Sequence, residues 1–178
     1  MNKIIAFAGS SSKNSINKKL VTYVSSLFGK VEVEILDLND YELPLYSIDK
    51  EKELGKPELA TKFLQKISEA DLIILSLAEH NGNFSVAFKN IFDWSSRWGI
   101  KVFQQKPMLL MATSNGARGG KSVLEIAEKR FPFDGAEIKA VFSLAKFSEN
   151  FDIERNKIIN EELDRELKDL VEKIQSDL

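Results

Sequence analysis

Cysteine is absent from this chain of 178 residues. The absence excludes disulfides, thiolate metal sites, thiol nucleophiles and redox chemistry carried by protein sulfur. Any electron chemistry must come from a bound cofactor. Histidine is reduced to one residue, His80, and no metal site is expected. Long apolar runs are missing: nothing approaches the roughly 20 residues that span a bilayer. The N-terminal run Ile4 to Ala8 is too short for the apolar region of a signal peptide, which points to a soluble, cytoplasmic protein. An excess of one charge is missing as well. The 25 basic and 27 acidic residues leave a formal net charge of -2 and are interspersed, which argues against nucleic acid or a membrane surface as partner.

What is present is enough apolar material for one core. Hydrophobic residues make up 43% of a chain whose length suits one domain, residues 1–178. Short apolar runs at Ile4 to Ala8, Val31 to Leu38, Leu72 to Leu77, Pro107 to Thr113 and Ile138 to Leu144 predict five strands. Helical spacing falls between them. Leu20, Val21, Val24, Leu27 and Phe28 precede Gly29, and Phe88, Ile91, Phe92, Ser95 and Trp98 precede Gly99, so each helix is expected to end on a left-handed glycine. Further helices are expected from near Pro57 through Ile67, from Gly120 through Ala127, and along the stripe Ile159, Leu163, Leu167, Leu170, Val171 and Ile174. Ser47 to Lys56 reads as a polar loop.

Alternating strands and helices imply a parallel sheet covered on both faces by right-handed crossovers. Ligands of such sheets bind beyond the carboxyl ends of the strands, where the strand order reverses. The loops after the first, third and fourth strands are therefore the ones to read for chemistry. The first, Gly9-Ser10-Ser11-Ser12-Lys13-Asn14-Ser15-Ile16-Asn17, leads straight into a helix. Unpaired N–H groups and the positive end of the helix dipole suit a phosphate there, and hydroxyl and amide side chains add donors. One helix cap needs a single such residue, not this many.

The second loop, Ala78-Glu79-His80-Asn81-Gly82-Asn83-Phe84-Ser85, has an Asn-Gly pair that allows a sharp turn against which a flat heteroaromatic ring could sit. The third, Thr113-Ser114-Asn115-Gly116-Ala117-Arg118-Gly119-Gly120-Lys121-Ser122, holds three of the nine glycines and permits close backbone approach to a ligand. It is not a Walker A loop, because Gly116 stands one residue too near the Gly-Lys pair.

In their order and spacing these pieces resemble the NADPH-dependent FMN reductase family: Gly-Ser followed by Ser15-x-Asn17, then Glu79-x-Asn81-Gly82 leading to Phe88-Lys89-Asn90 and Asp93-Trp94, then Lys106-Pro107 leading to Ser114 and Gly119-Gly120. The resemblance implies a flavodoxin-like, three-layer α/β fold, with a five-stranded parallel sheet of order 2-1-3-4-5 and helices on both faces. It implies FMN as cofactor, NAD(P)H as co-substrate, and a small acceptor such as a quinone, free flavin, azo compound or metal oxyanion. Ser10, Ser12, Lys13, Ser15, Ile16 and Asn17 would surround the FMN phosphate. Glu79, His80, Asn81, Gly82, Asn83 and Phe84 would line one edge of the isoalloxazine ring, and Ser114, Asn115, Gly116, Gly119 and Gly120 would hold its pyrimidine side. Leu43 to Tyr46 is similar to the family's segment near a neighbouring subunit, and in that family the helix carrying Trp94 commonly contributes to a dimer, so a homodimer or homotetramer is expected. Many relatives carry Arg where Ser12 stands, and Pro and Tyr where Ala78 and His80 stand.

No catalytic residue in the strict sense is nominated, since the flavin would carry the chemistry. His80 reads as a wall of the ring pocket, Trp94 and Trp98 as core or interface, and the charges from Glu161 to Lys173 as a solvated helix face. A non-enzymatic flavodoxin-type electron carrier is the alternative, which the net charge of -2 disfavours because such carriers are acidic near the flavin. A signalling receiver domain would need acids where Phe7, Ala8 and Gly9 stand.

Overall fold

The computed structural model describes residues 1–178. In chain order its elements are β1 (Lys3–Gly9), α1 (Ile16–Ser26), β2 (Glu32–Leu36), α2 (Ile48–Leu54), α3 (Glu58–Ser68), β3 (Leu72–Leu77), β4 (Glu79–His80), β5 (Asn83–Phe84), α4 (Val86–Ser95), β6 (Lys106–Thr113), α5 (Lys121–Arg130), β7 (Ala136–Leu144), α6 (Phe147–Asn150), β8 (Phe151–Asp152), β9 (Lys157–Ile158) and α7 (Glu161–Ser176). β1, β2, β3, β6 and β7 form one sheet in the order β2-β1-β3-β6-β7, every neighbouring pair parallel. Counting sheet strands alone, this is the expected order 2-1-3-4-5. The direction of winding reverses between β1 and β3, which opens a crevice at their carboxyl ends.

Period-two alternation splits each central strand between two cores. Ile4 and Ala6 of β1, Leu72 and Ile74 of β3, and Leu109 and Met111 of β6 pack with Leu20, Val21 and Val24 of α1 and Leu167, Val171 and Ile174 of α7. Ile5 and Phe7, Ile73 and Leu75, and Met108 and Leu110 face the other way, against Phe63 and Ile67 of α3, Phe88 and Trp94 of α4, and Val123 and Ala127 of α5. Burial on both faces is why these strands are almost wholly apolar. β2 lies at the edge, and there Val33 and Ile35 are 37% exposed while Leu36 is buried. No helix is long and apolar enough to cross a membrane.

Three local expectations are corrected. Ser47 to Lys56 is not a loop but contains α2, capped by Ser47 Oγ accepting from Lys50 N at 3.1 Å. None of its residues is buried, so there was no apolar period to read. Gly29 is not the left-handed cap of α1: that helix ends at Ser26 with Leu27 right-handed, Phe28 tucks into the core, and Lys30 takes φ 57° instead. Gly99 does adopt φ 73° as expected, after a 3-10 turn Ser96–Trp98 that extends α4. Ile159 lies outside the last helix and is 50% exposed, because Asn160 caps α7 through Leu163 N.

Candidate functional site

The loops after β1, β3 and β6 meet in a cavity of about 260 Å³ at the carboxyl ends of the three strands. Ser10, Ser12, Ser15, Ile16 and Asn17 line it from the first loop, Glu79 and His80 from the second, and Ser114 and Asn115 from the third. Asn14, Ala78 and Thr113 join them. Ala78 and Thr113 open the second and third loops as read from the sequence, but they lie outside the motif positions that the family resemblance carries over, so they were not among the expected site residues.

The first loop is shaped by its own hydroxyls. Ser10 Oγ accepts from Ser12 N at 3.2 Å, Ser15 N bonds to Ser12 O at 3.1 Å, and Ser15 Oγ caps α1 by accepting from Lys18 N at 3.2 Å. The N–H groups of Lys13, Asn14, Ile16 and Asn17 take no acceptor from the protein. Asn17 is 3% exposed and its side chain turns inward. Its Oδ1 accepts from Ser76 Oγ at 2.7 Å and from Thr113 N at 3.0 Å, while Nδ2 donates to Thr113 O at 3.3 Å. Asn17 thus locks the start of α1 onto β3 and β6, and only its backbone N–H is left for a ligand. Ser12 and Lys13 are exposed.

In the second loop, β4 and β5 form a tight hairpin turned by Asn81 and Gly82 at φ 52° and 75°, as an Asn-Gly pair favours. His80 sits exposed at the cavity margin. Phe84 does not line this cavity. It stacks on Phe131 at 5.6 Å and, with Asn83, borders a second groove of about 390 Å³ beside Leu45, Tyr46 and Val86. Ser85, next in line, caps α4 and donates to Gly9 O at 2.7 Å, tying the hairpin to the end of β1.

In the third loop, Gly116 is exposed and its carbonyl accepts from Lys146 N, while Ser114 O accepts from Phe147 N and Asn115 Oδ1 from Ser148 N. Gly119 and Gly120 are buried and absent from the cavity lining. A Cβ on Gly119 would stand 2.7 Å from Ala145 N, and one on Gly120 2.7 Å from Ala112 Cβ, at φ 58° and 80°. Their smallness serves the packing of α5 onto the sheet.

Electrostatics favour an anion at this edge. α1, α4 and α5, which open directly from the three loops, carry no acidic residue in their first turns. α3 and α7 carry Glu58 and Glu161, Glu162 and Asp164 in theirs. Behind the loop, Lys18 bonds Asp37 at 2.5 Å and holds its carboxyl below the usual range, so that lysine is occupied. Lys13, free of such a partner, is the cation within the loop.

Strand order, crevice and hydroxyl-rich helix start define a flavodoxin-like α/β protein. A family profile described as NADPH-dependent FMN reductase matches residues 2–149. The chain is 30% identical to an NADPH:quinone oxidoreductase of Arabidopsis thaliana, over 98% of this chain and 90% of that one. It is 36% identical to a 2-hydroxy-1,4-benzoquinone reductase of a Burkholderia species, over 66% and 63% of the two chains. Among solved structures, it superposes on a flavoenzyme NAD(P)H:(acceptor) oxidoreductase from Paracoccus denitrificans with a TM-score of 0.80 at 22% identity, covering 99% of this chain and 96% of the other. The protein belongs to the NADPH-dependent FMN reductase family. It is an oxidoreductase that uses FMN and NAD(P)H.

The residues present fit that cofactor. Four acceptor-free backbone N–H groups at a helix start with no acidic residue form a donor set for a phosphomonoester.

Proposed function

We propose that the protein is one domain that reduces small quinone-class acceptors with NAD(P)H through FMN held by the three loops. The observation that carries the reading is the single cavity shared by the hydroxyl-rich start of α1, Glu79 and His80 of the hairpin, and Ser114 and Asn115. Names of relatives as quinone reductases support the acceptor class.

The chain's own residues have distinct tasks in this reading. Ser10, Ser12 and Ser15, with the N–H groups of Lys13, Asn14, Ile16 and Asn17, hold the phosphate, and Lys13 adds the one full charge from the loop. Glu79, His80, Asn81 and Gly82 wall one edge of the ring, and Ser114, Asn115 and Gly116 face the other. Backbone N–H groups aimed at a developing negative charge do not have to reorganise during the reaction. Bound here, FMN would supply the two-electron redox chemistry between NAD(P)H and the acceptor. The Phe84 groove sets the exposed apolar side chains of Leu45 (69%) and Val86 (64%) among Asn83, Lys89, Asn90 and Asp93. Leu43 to Tyr46 is pinned there: Asn90 Nδ2 donates to Leu43 O at 2.9 Å, Asn90 Oδ1 accepts from Tyr46 N at 2.9 Å, and Trp94 Nε1 donates to Pro44 O at 2.8 Å. Exposed Leu45 and Val86 on a segment held this firmly support a homodimer.

The test is steady-state NADPH oxidation by the FMN-loaded protein with a benzoquinone, in the absence of any partner reductase. Sustained turnover is expected. Reduction that proceeds only when a separate reductase is added would make the protein an electron carrier instead.

A further inference from the structure

Helix α5 starts poorly on its own residues. Its N-cap is Gly120, at φ 80° and with no side chain to accept a hydrogen bond, and no acidic residue follows in the first turn. Lys121 comes first, and its charge opposes the positive end of the helix dipole. The missing acceptor arrives from another loop. Glu79 Oε2 accepts from Val123 N at 3.0 Å, across 44 residues of chain. Val123 is the third residue of α5, the N–H that an N-cap side chain ordinarily serves, and a carboxylate makes the stronger, charge-assisted version of that bond.

Glu79 is also the first residue of the hairpin that carries His80, and it lines the cavity. No other hydrogen bond joins residues 79–84 to the third loop or to α5. We propose that Glu79 is a positioning residue: by capping α5 from across the cavity, it sets the gap between the second and third loops, and with it the fit of the flavin ring. The claim rests on the FMN reading for the identity of the ligand. It gives the acidic residue of the second loop a task that needs neither proton transfer nor direct contact with the acceptor.

The experiment compares full-length apoprotein with Glu79→Ala and Glu79→Gln, reading amide hydrogen exchange at Val123 and FMN affinity by quenching of flavin fluorescence. Loss of a cap corresponds to about a tenfold change in an equilibrium constant, so Glu79→Ala is expected to speed exchange at Val123 and to weaken FMN binding, each by about tenfold. Glu79→Gln keeps an acceptor oxygen and loses only the charge, so both readings should return to within about fivefold of wild type. Unchanged Val123 exchange in Glu79→Ala overturns the cap. Faster exchange with unchanged FMN affinity overturns the positioning role. A glutamine variant as impaired as the alanine variant also overturns it, since charge rather than the bond would then matter. Wild-type protein that takes up no FMN overturns the functional reading, and Val123 exchange in the same variants still decides whether Glu79 couples the loops.

Discussion

At the scale of residues, the first loop is held by Ser10, Ser15 and Asn17 and leaves four backbone N–H groups without a protein acceptor. Asn17→Ala strips the acceptor from Ser76 Oγ and Thr113 N, both buried, and is expected to cost about 2 kcal/mol in urea unfolding. Lys13 is exposed and makes no ion pair, so Lys13→Ala should leave stability within about 0.5 kcal/mol while weakening FMN binding. Ser12→Arg adds a charge-assisted donor to a loop whose only full charge is Lys13. It should tighten FMN binding several-fold at low salt and lose much of that gain in high salt, which a titration at two ionic strengths would show. The donors of this loop could be read from Ser10 to Asn17 because hydroxyls and amides at a helix start have a direct chemical meaning. The inward turn of Asn17 could not be read, since it depends on Ser76 and Thr113, which only the folded sheet brings near. The same holds for Glu79, whose partner is 44 residues away.

At the scale of elements, the strands were legible because burial on two faces leaves almost nothing but apolar side chains in Leu72 to Leu77 and Pro107 to Thr113. Helix α2 was hidden because it buries none of its residues. The paired glycines of the third loop, noticed for their composition, have a packing task in the element as well: a Cβ on Gly119 or Gly120 would collide with Ala145 or Ala112. Gly120→Ala would place a methyl 2.7 Å from Ala112 Cβ at a positive φ, lifting α5 off β6. It should lower stability by about 2 kcal/mol, seen as a reduced urea midpoint at unchanged slope. The amino-terminal end of the sheet is held differently, by ions. Lys3 bonds Glu69 at 2.7 Å and pairs with Glu34 at 3.1 Å, and Lys66 pairs with Glu34 at 2.8 Å, linking β1, β2 and the end of α3. Lys66 first, and then Lys3, hold the Glu34 carboxyl below its ordinary 4.5, and Lys3 does the same for Glu69. Because the folded values are the lower ones, this stabilisation is complete above the ordinary 4.5 and drains away as the pH falls beneath it. Urea unfolding followed from pH 6 down to about 3 should therefore fall less steeply in Lys3→Met than in wild type.

At the scale of the whole molecule, the topology was the most legible feature, since alternating strands and helices leave few sheets to choose among and the crevice between β1 and β3 follows from the order. The pairing of Leu45 with Val86 beside the cavity was less so: they are far apart in sequence and come together where Asn90 and Trp94 hold Leu43 to Tyr46. The proposed subunit interface predicts that Leu45→Glu lowers the sedimentation coefficient relative to wild type in sedimentation velocity, and an unchanged coefficient would remove Leu45 from that interface. The most direct measurement on the whole protein is anaerobic: mix purified apoprotein with FMN, remove the free flavin, and record the visible spectrum before and after adding NADPH. The account predicts a yellow protein with stoichiometric FMN that bleaches on addition of NADPH and regains its colour when a quinone is supplied. A protein that stays colourless after exposure to FMN would contradict it.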